Sequence, residues 1–438
     1  MKNLLSALVL LASAAPALAG DLSADKARIE TLVDKAYPRL EALYKDIHQH
    51  PEVAFQETRT AALMAAEMRK LGFEVTEKVG RTGVVAVLRN GQGPIVLVRT
   101  DMDALPMEEK TGLPYASRAK QVVNGAETFV DHSCGHDVHM AWWLGAAQAL
   151  AGMKDRWRGT LVFVAQPAEE TLGGAKAMLD DGLYTRFPKP DYAFAAHTTP
   201  LAAGSITVKD GVASSASDAL KLTFHGRGAH GSTPQRSLDP VVMGAHFVTD
   251  VQTVVSREID PQAFAVVTVG SFQAGTVGNI IPDQAELRLS LRSFDPEVRT
   301  KLRAGVERTA KAVADMAGAP APTLETLGGT SAMRNDAALV ERMAPVIRDV
   351  FGERASFIPA SAAGFSASED FAAFTEAGTP SLYYWVGAIA PETVAEAQRT
   401  GKPVPANHSP LFAPLPGPTI RAGALLLAVS VLTVAPAP

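Results

Sequence analysis

The chain has 438 residues, enough for two or three domains, and its 47% apolar and 20% charged side chains are the proportions of an ordinary soluble globular protein. It carries 41 basic and 46 acidic residues without basic clusters, which argues against nucleic acid as a partner. Cys134 is its single cysteine, so no disulfide forms within the chain.

In chain order, Lys2 precedes an apolar run over residues 4–12, and Ala17-Leu-Ala19 offers the small residues a signal peptidase reads. Residues 1–19 therefore read as a secretory signal, too short to span a membrane. Its removal takes away only Lys2 and leaves 40 basic and 46 acidic side chains, in a periplasmic or secreted protein. In such a compartment a free thiol is a liability unless something uses it.

Residues 20–213 read as the first part of an α/β domain. Helical periodicity runs from residue 24 to about 71, interrupted at Pro51 and closed by Gly72. Residues 84–88 and 94–99 are Val- and Leu-rich without clean alternation, as in strands buried on both faces. A helix over 139–152, a strand over 160–165, a helix over 174–181 and a strand over 192–196 follow. That alternation predicts a sheet with helices on both faces.

Near Ser214 the rhythm changes to strand 219–225, helix 239–258, strands 263–272 and 285–293, helix 297–317 and strand 322–327. The β-α-β-β-α-β order is the ferredoxin-like pattern, here a small domain over 214–328 inserted into the first, whose second part is 329–438. The apolar stretch 422–434 is shorter than 18 residues and predicts a packed helix, with no membrane anchor.

The chemistry-bearing residues cluster after strands. Asp101 and Asp103 follow one, Glu169 and Glu170 another, and His197 a third, which places them at the carboxyl edge where open α/β sheets bind ligands. Cys134 and His136, with flexible Gly135 between them, can turn toward one metal ion. Glu169 and Glu170 are adjacent, so in extended chain they point opposite ways, one to a metal and the other to a water as general base. His408 lies in a Pro-fixed loop. His132 and His139 flank the Cys-Gly-His core as orienting groups, while His48 and His50 end a helix in capping or surface positions. His230, in a glycine-rich turn of the small domain, suits polarisation of a developing oxyanion.

The segments Asp101-Met-Asp-Ala-Leu-Pro106, Ser133-Cys-Gly-His-Asp137, Gln166-Pro-Ala-Glu-Glu170, Asn279-Ile-Ile-Pro282, Glu369-Asp-Phe371 and His408-Ser-Pro410 together resemble the M20 metallopeptidases. The likeness is strongest to the branch of hippurate hydrolase, N-acyl-amino-acid amidohydrolases and plant indole-acetyl-amino-acid hydrolases. It implies a zinc-peptidase-like catalytic domain with a mixed sheet, an inserted lid that pairs two copies into a homodimer, and two divalent ions (zinc, manganese, cobalt or nickel). It further implies Cys134, His136, Glu170, His197 and His408 as ligands, with Glu169 as general base to a metal-bridging water. His230 and Asn279 would polarise the scissile carbonyl, often from the neighbouring subunit. Arg292 would hold a substrate carboxylate, and Asp101 and Asp103 would support the ligands from behind. The expected reaction is amide hydrolysis of N-acyl amino acids. A dipeptidase or carboxypeptidase using the same site, or an exported metal-dependent binding protein, are the other readings. The stretch 124–129, and the length of the segment 389–405, depart from the branch.

Overall fold

The computed structural model describes residues 15–438, with side chains from residue 22 onward. Most of the expected signal segment lies outside the described residues. The first described element is a helix, Ala15–Gln49.

The main sheet has eight strands, in the spatial order Glu74–Val79, Gly83–Asn90, Gly159–Gln166, Ile95–Asp101, Tyr192–Ala202, Ser381–Ile389, Ile206–Lys209 and Ala355–Ile358. The four central strands run parallel to one another, and antiparallel pairings flank them on both sides. Parallel neighbours need crossover connections, which the helices supply. Successive residues of a strand enter different cores. Val84, Ala86 and Leu88 pack with the helices His136–Ala151 and Pro416–Val434, whereas Val85 and Val87 meet Met178 and Phe374 on the other face. Two-sided burial explains why these strands show no alternation of polarity.

The helix Pro416–Val434 is long and apolar enough to cross a membrane by composition, yet 78% of its apolar window is buried. Gly423 lies against the ring of Trp142, where an added Cβ would come within 2.4 Å. It is a core helix, as expected.

The small domain has a four-stranded antiparallel sheet, ordered Ala265–Ala274, Gln284–Ser293, Ala216–His225 and Thr323–Thr330. This is the ferredoxin-like arrangement, covered by Pro240–Asp250, Gln252–Glu258 and Pro296–Met316 around Leu222, Phe247 and Leu302. Asp239 and Asp295 each cap a helix, accepting from Val241 N at 2.9 Å and Glu297 N at 2.7 Å, with proline at the first helical position. The single helix expected over 239–258 is two pieces that meet at Val251.

Four strands of the main sheet escaped the sequence reading, the first being Glu74–Val79, a charged and mostly unburied edge strand with no apolar run to mark it. Ile206–Lys209 and Ala355–Ile358 are four residues long, too short for a period to register. Ser381–Ile389 is wholly buried and carries aromatic residues where simpler aliphatic runs were sought. The departing stretch 124–129 belongs to a hairpin, Lys120–Val123 with Ala126–Phe129.

Candidate metal centre

Gly135 begins the construction. It caps the helix His136–Ala151 at φ +87°, and a Cβ there would lie 2.7 Å from Thr198 Oγ1. The left-handed turn that only glycine adopts freely places Cys134 and His136 on the two sides of a bend. Cys134 Sγ then lies 3.3 Å from His197 Nε2.

Backbone carbonyls fix the imidazoles. His136 Nδ1 donates to the Asp103 carbonyl at 2.7 Å, and His197 Nδ1 to the Thr198 carbonyl at 2.7 Å. Each ring is thereby oriented with Nε2 as its available lone pair. His139 is different. Its Nδ1 contacts Asp101 at 2.7 Å and its Nε2 accepts from Thr198 N at 2.9 Å, so both nitrogens are used and it orients rather than ligates. His197 lies inside the strand Tyr192–Ala202, not just beyond its end, because the pairing with Ser381–Ile389 continues past it.

Glu169 and Glu170 stand in a tight turn, closed by Leu172 N donating to the Glu169 carbonyl at 2.7 Å. Ala168 and Leu172 take positive φ on either side. The Asp103 carboxylate accepts from the backbone N–H of both glutamates at 3.0 Å. The expectation of opposed side chains in extended chain fails here: in the turn they converge, and an oxygen of each lies 3.8 Å from His136 Nε2. Glu170 also reaches His408 Nε2 at 3.3 Å. His408 sits at φ +66°, its N–H held by the Ser133 carbonyl at 2.9 Å.

Behind these residues Arg99, fully buried, donates to Asp101 at 2.7 Å, Glu369 at 2.9 Å and Gln166 at 3.0 Å. Asp370 accepts from Gln166 at 2.6 Å, and Tyr383 donates to Glu369 at 2.5 Å. Asn407 donates to the Cys134 carbonyl at 2.9 Å and ties down the His408 loop. The sequence reading gave no role to Arg99, Thr198, Glu369, Asp370 or Asn407, whose work is hydrogen bonding across distant parts of the chain. It also misplaced His48. That ring is buried between Asp137 at 2.6 Å and Glu109 at 3.2 Å, because the final turn of its helix faces the Cys-Gly-His helix rather than solvent.

The site is rich in anions. Burial, then the charges of Glu170 and Glu169, pushes the Cys134 thiol well above its usual range. Burial, then Glu369 and Glu170, does the same to Glu169. Burial would lower His136, but Asp101, Asp103 and Glu170 outweigh it and raise the ring to about 10. His136 Nε2 and Glu170 Oε1 are also buried without a hydrogen-bond partner. Orphaned donor atoms surrounded by excess negative charge are what divalent cations would satisfy, so the residues fit such ions. Two overlapping groups lie close enough together to share ions: Cys134, Glu170 and His408, and His136, Glu169 and Glu170.

A cleft of about 850 Å³ opens over these residues, and Arg292 and Phe264 of the small domain line its far side. His230 and Asn279 are not among its lining residues. Both are exposed, side by side at the tip of the small domain, where Gly231 N donates to the Asn279 carbonyl at 2.8 Å.

A parallel-centred α/β sheet with thiol, imidazole and carboxylate donors gathered at its carboxyl edge defines the class, a metal-dependent hydrolase. A sequence model of peptidase family M20/M25/M40 matches residues 97–398, and the chain belongs to that family. It is 38% identical to hippurate hydrolase of Campylobacter jejuni over 338 residues, covering 77% of this chain and 85% of the relative. A solved structure from methicillin-resistant Staphylococcus aureus, named as an aminohydrolase, superposes with a TM-score of 0.80 at 29% identity, over 93% of this chain and 100% of the other. The Bacillus subtilis YxeP protein, described as a dinuclear metal binding peptidase, gives 0.71 at 26% identity over 92% and 99%.

Proposed function

We propose that this protein hydrolyses the amide bond of N-acyl amino acids at a two-metal centre. The observation that carries the reading is the convergence of both glutamates on His136 Nε2 in a cleft that Arg292 of the small domain also lines. Cys134, His136, Glu170, His197 and His408 would hold the ions. The cysteine favours zinc by softness, and the nitrogen and oxygen donors also admit manganese, cobalt or nickel. When bound, the ions supply Lewis acidity and bring the pKa of water down to about 7.

Glu169 takes a proton from the attacking water and passes it to the departing amine. Its elevated pKa suits a group that must accept a proton and then give it up. Arg292 contacts Ser368 and has no carboxylate partner among the described residues, so its guanidinium is free for a substrate carboxylate. Burial lowers its pKa, a cost that an anion in the cleft would relieve.

His230 and Asn279 do not line this chain's own cleft, and the reading has them enter that of a second copy, in a homodimer formed through the small domain. The presence of Val242, Phe272, Val277 and Ile280 as exposed apolar side chains on that domain supports it. The reading also places the protein in the periplasm or outside the cell, on the strength of the segment 1–19. An N-terminus at Met1 in protein purified from its source would overturn that address.

A panel of N-acetyl and N-benzoyl amino acids and dipeptides, assayed with and without chelator, tests the activity. Cleavage of the N-acyl compounds that chelator abolishes and divalent metal restores is expected. Preferential cleavage of dipeptides would replace the reading with a peptidase, and binding without turnover would replace it with a receptor.

A further inference from the structure

The cleft is not uniformly polar. Phe365 lies against Trp385 with ring centroids 4.4 Å apart, and Trp385 is in turn edge-on to Tyr383 at 5.4 Å. Trp385 sits directly across the sheet from His197 in register. On the small domain Val266 is the cross-strand partner of Arg292, and Phe264 beside it stacks on Phe294 at 4.3 Å. Phe264, Val266, Phe365 and Trp385 all line the cleft, Trp385 paired with the metal-site residue His197 and Val266 with Arg292.

The segment bearing Phe365 is held in place. Phe365 N donates to the Ala213 carbonyl at 2.9 Å, Ser215 N to the Ala367 carbonyl at 2.8 Å, and Ser368 meets Arg292. A Cβ at Gly364 would lie 2.6 Å from the Val212 carbonyl oxygen, so the strand crossing has no slack. An aromatic wall fixed in this way is built before any ligand arrives, which limits the ordering cost of binding.

This arrangement reads on substrate choice, and the reading rests on the function proposed above. In an N-acyl amino acid only the α-carbon separates the scissile nitrogen from the carboxylate. With the amide over Glu169 and the carboxylate at Arg292, that carbon is pinned between them. Its side chain must then project onto the wall between Trp385 and Phe264, while the acyl group leaves the carbonyl in the other direction. We infer that Phe365, Trp385 and Phe264 form a side-chain subsite that selects N-acyl derivatives of aromatic and large apolar amino acids. Acidic or very small side chains would leave the wall wetted or uncovered.

The experiment is kcat/KM of the full chain with added zinc or manganese. The substrates are the N-acetyl derivatives of phenylalanine, leucine, alanine and aspartate, plus N-benzoylglycine against N-acetylglycine. Phenylalanine is expected to exceed alanine by about tenfold to a hundredfold, the value of burying one such side chain. Phe365→Ala should lower the phenylalanine-to-alanine ratio by about tenfold, and Phe264→Ala should lower it less. The benzoyl-to-acetyl ratio should stay within about twofold in both variants, because it reports the other side of the carbonyl. A wild-type phenylalanine-to-alanine ratio near one overturns the inference, and needs no variant to be seen. So does an unaltered ratio in both variants, or a collapse of the benzoyl-to-acetyl ratio in its place. Thermal melting identifies a Phe365→Ala protein that has not folded, and Phe264→Ala then decides. Absence of cleavage for every N-acyl compound defeats the proposed function itself, an outcome distinct from cleavage without the stated preference.

Discussion

The carboxyl edge of the main sheet and the tip of the small domain hold their functional candidates in opposite ways. At the edge His136 and Asp103 are completely buried, and each backbone turn is fixed by a carboxylate or a carbonyl. At the tip His230 is exposed and its Nδ1 is partnered only by Ser232 at 2.7 Å. The first arrangement is complete within one chain and is preorganised. The second needs something brought to it, and the difference separates chemistry from closure.

The sharpest attempt to break that contrast is Glu169→Ala. Turnover should fall by about 10²- to 10⁴-fold, with metal content and melting temperature retained. Unchanged turnover would remove Glu169 from the reaction.

Next in size is His48→Ala, which strips the buried partner from Asp137 and Glu109. Urea unfolding should show a loss of about 3–5 kcal/mol. Burial would lower this ring, but the two carboxylates raise it to about 10 from the ordinary 6.5. Because the folded pKa is the higher one, the stabilisation is complete below about 6.5 and fades as pH rises through about 10. The wild-type advantage over His48→Ala should therefore shrink between about pH 6.5 and about pH 10. A constant difference across the range would rule out the charged pair as its source.

His230→Ala probes the tip. A loss of about 10²-fold in kcat with unchanged melting is expected from removal of one oxyanion partner. Mixing it with the Glu169→Ala protein should restore activity, since a hybrid dimer joins one intact Glu169 to the other copy's His230. Mixtures as inactive as their parts would confine any role of His230 to its own chain. The smallest effect is expected from Asp295→Ala, which removes a helix cap of the small domain. It should cost about 1 kcal/mol in unfolding and leave turnover unaltered.

Sequence legibility follows the same division. The β-α-β-β-α-β order of the small domain was open to reading from its periodicity, and the gathering of Cys134, His136, Glu170, His197 and His408 because short motifs carry it, whereas half of the main sheet's strands were not. The direction of Glu169 and Glu170 was not. Their convergence depends on positive φ at Ala168 and Leu172 and on Asp103, some 66 residues earlier, gripping both N–H groups. Arg99 reaches Glu369 across 270 residues, a separation at which no local pattern survives. His48 has the sequence surroundings of a fraying helix end, and only the arrival of Asp137 and Glu109 makes it an interior residue.

His136 and His408 share Glu170 as a neighbour but differ in their access to water. The His136 side chain is 0% exposed, and that of His408 is 54% exposed, on a loop hung from the Cys134 carbonyl through Asn407. On the proposed ligand set the two cations thus have unequal exits. The one beside His408 should exchange with the medium first, and the one beside His136 should stay until the fold loosens, so that demetallation proceeds in two kinetic stages and hybrid-metal forms become accessible in between.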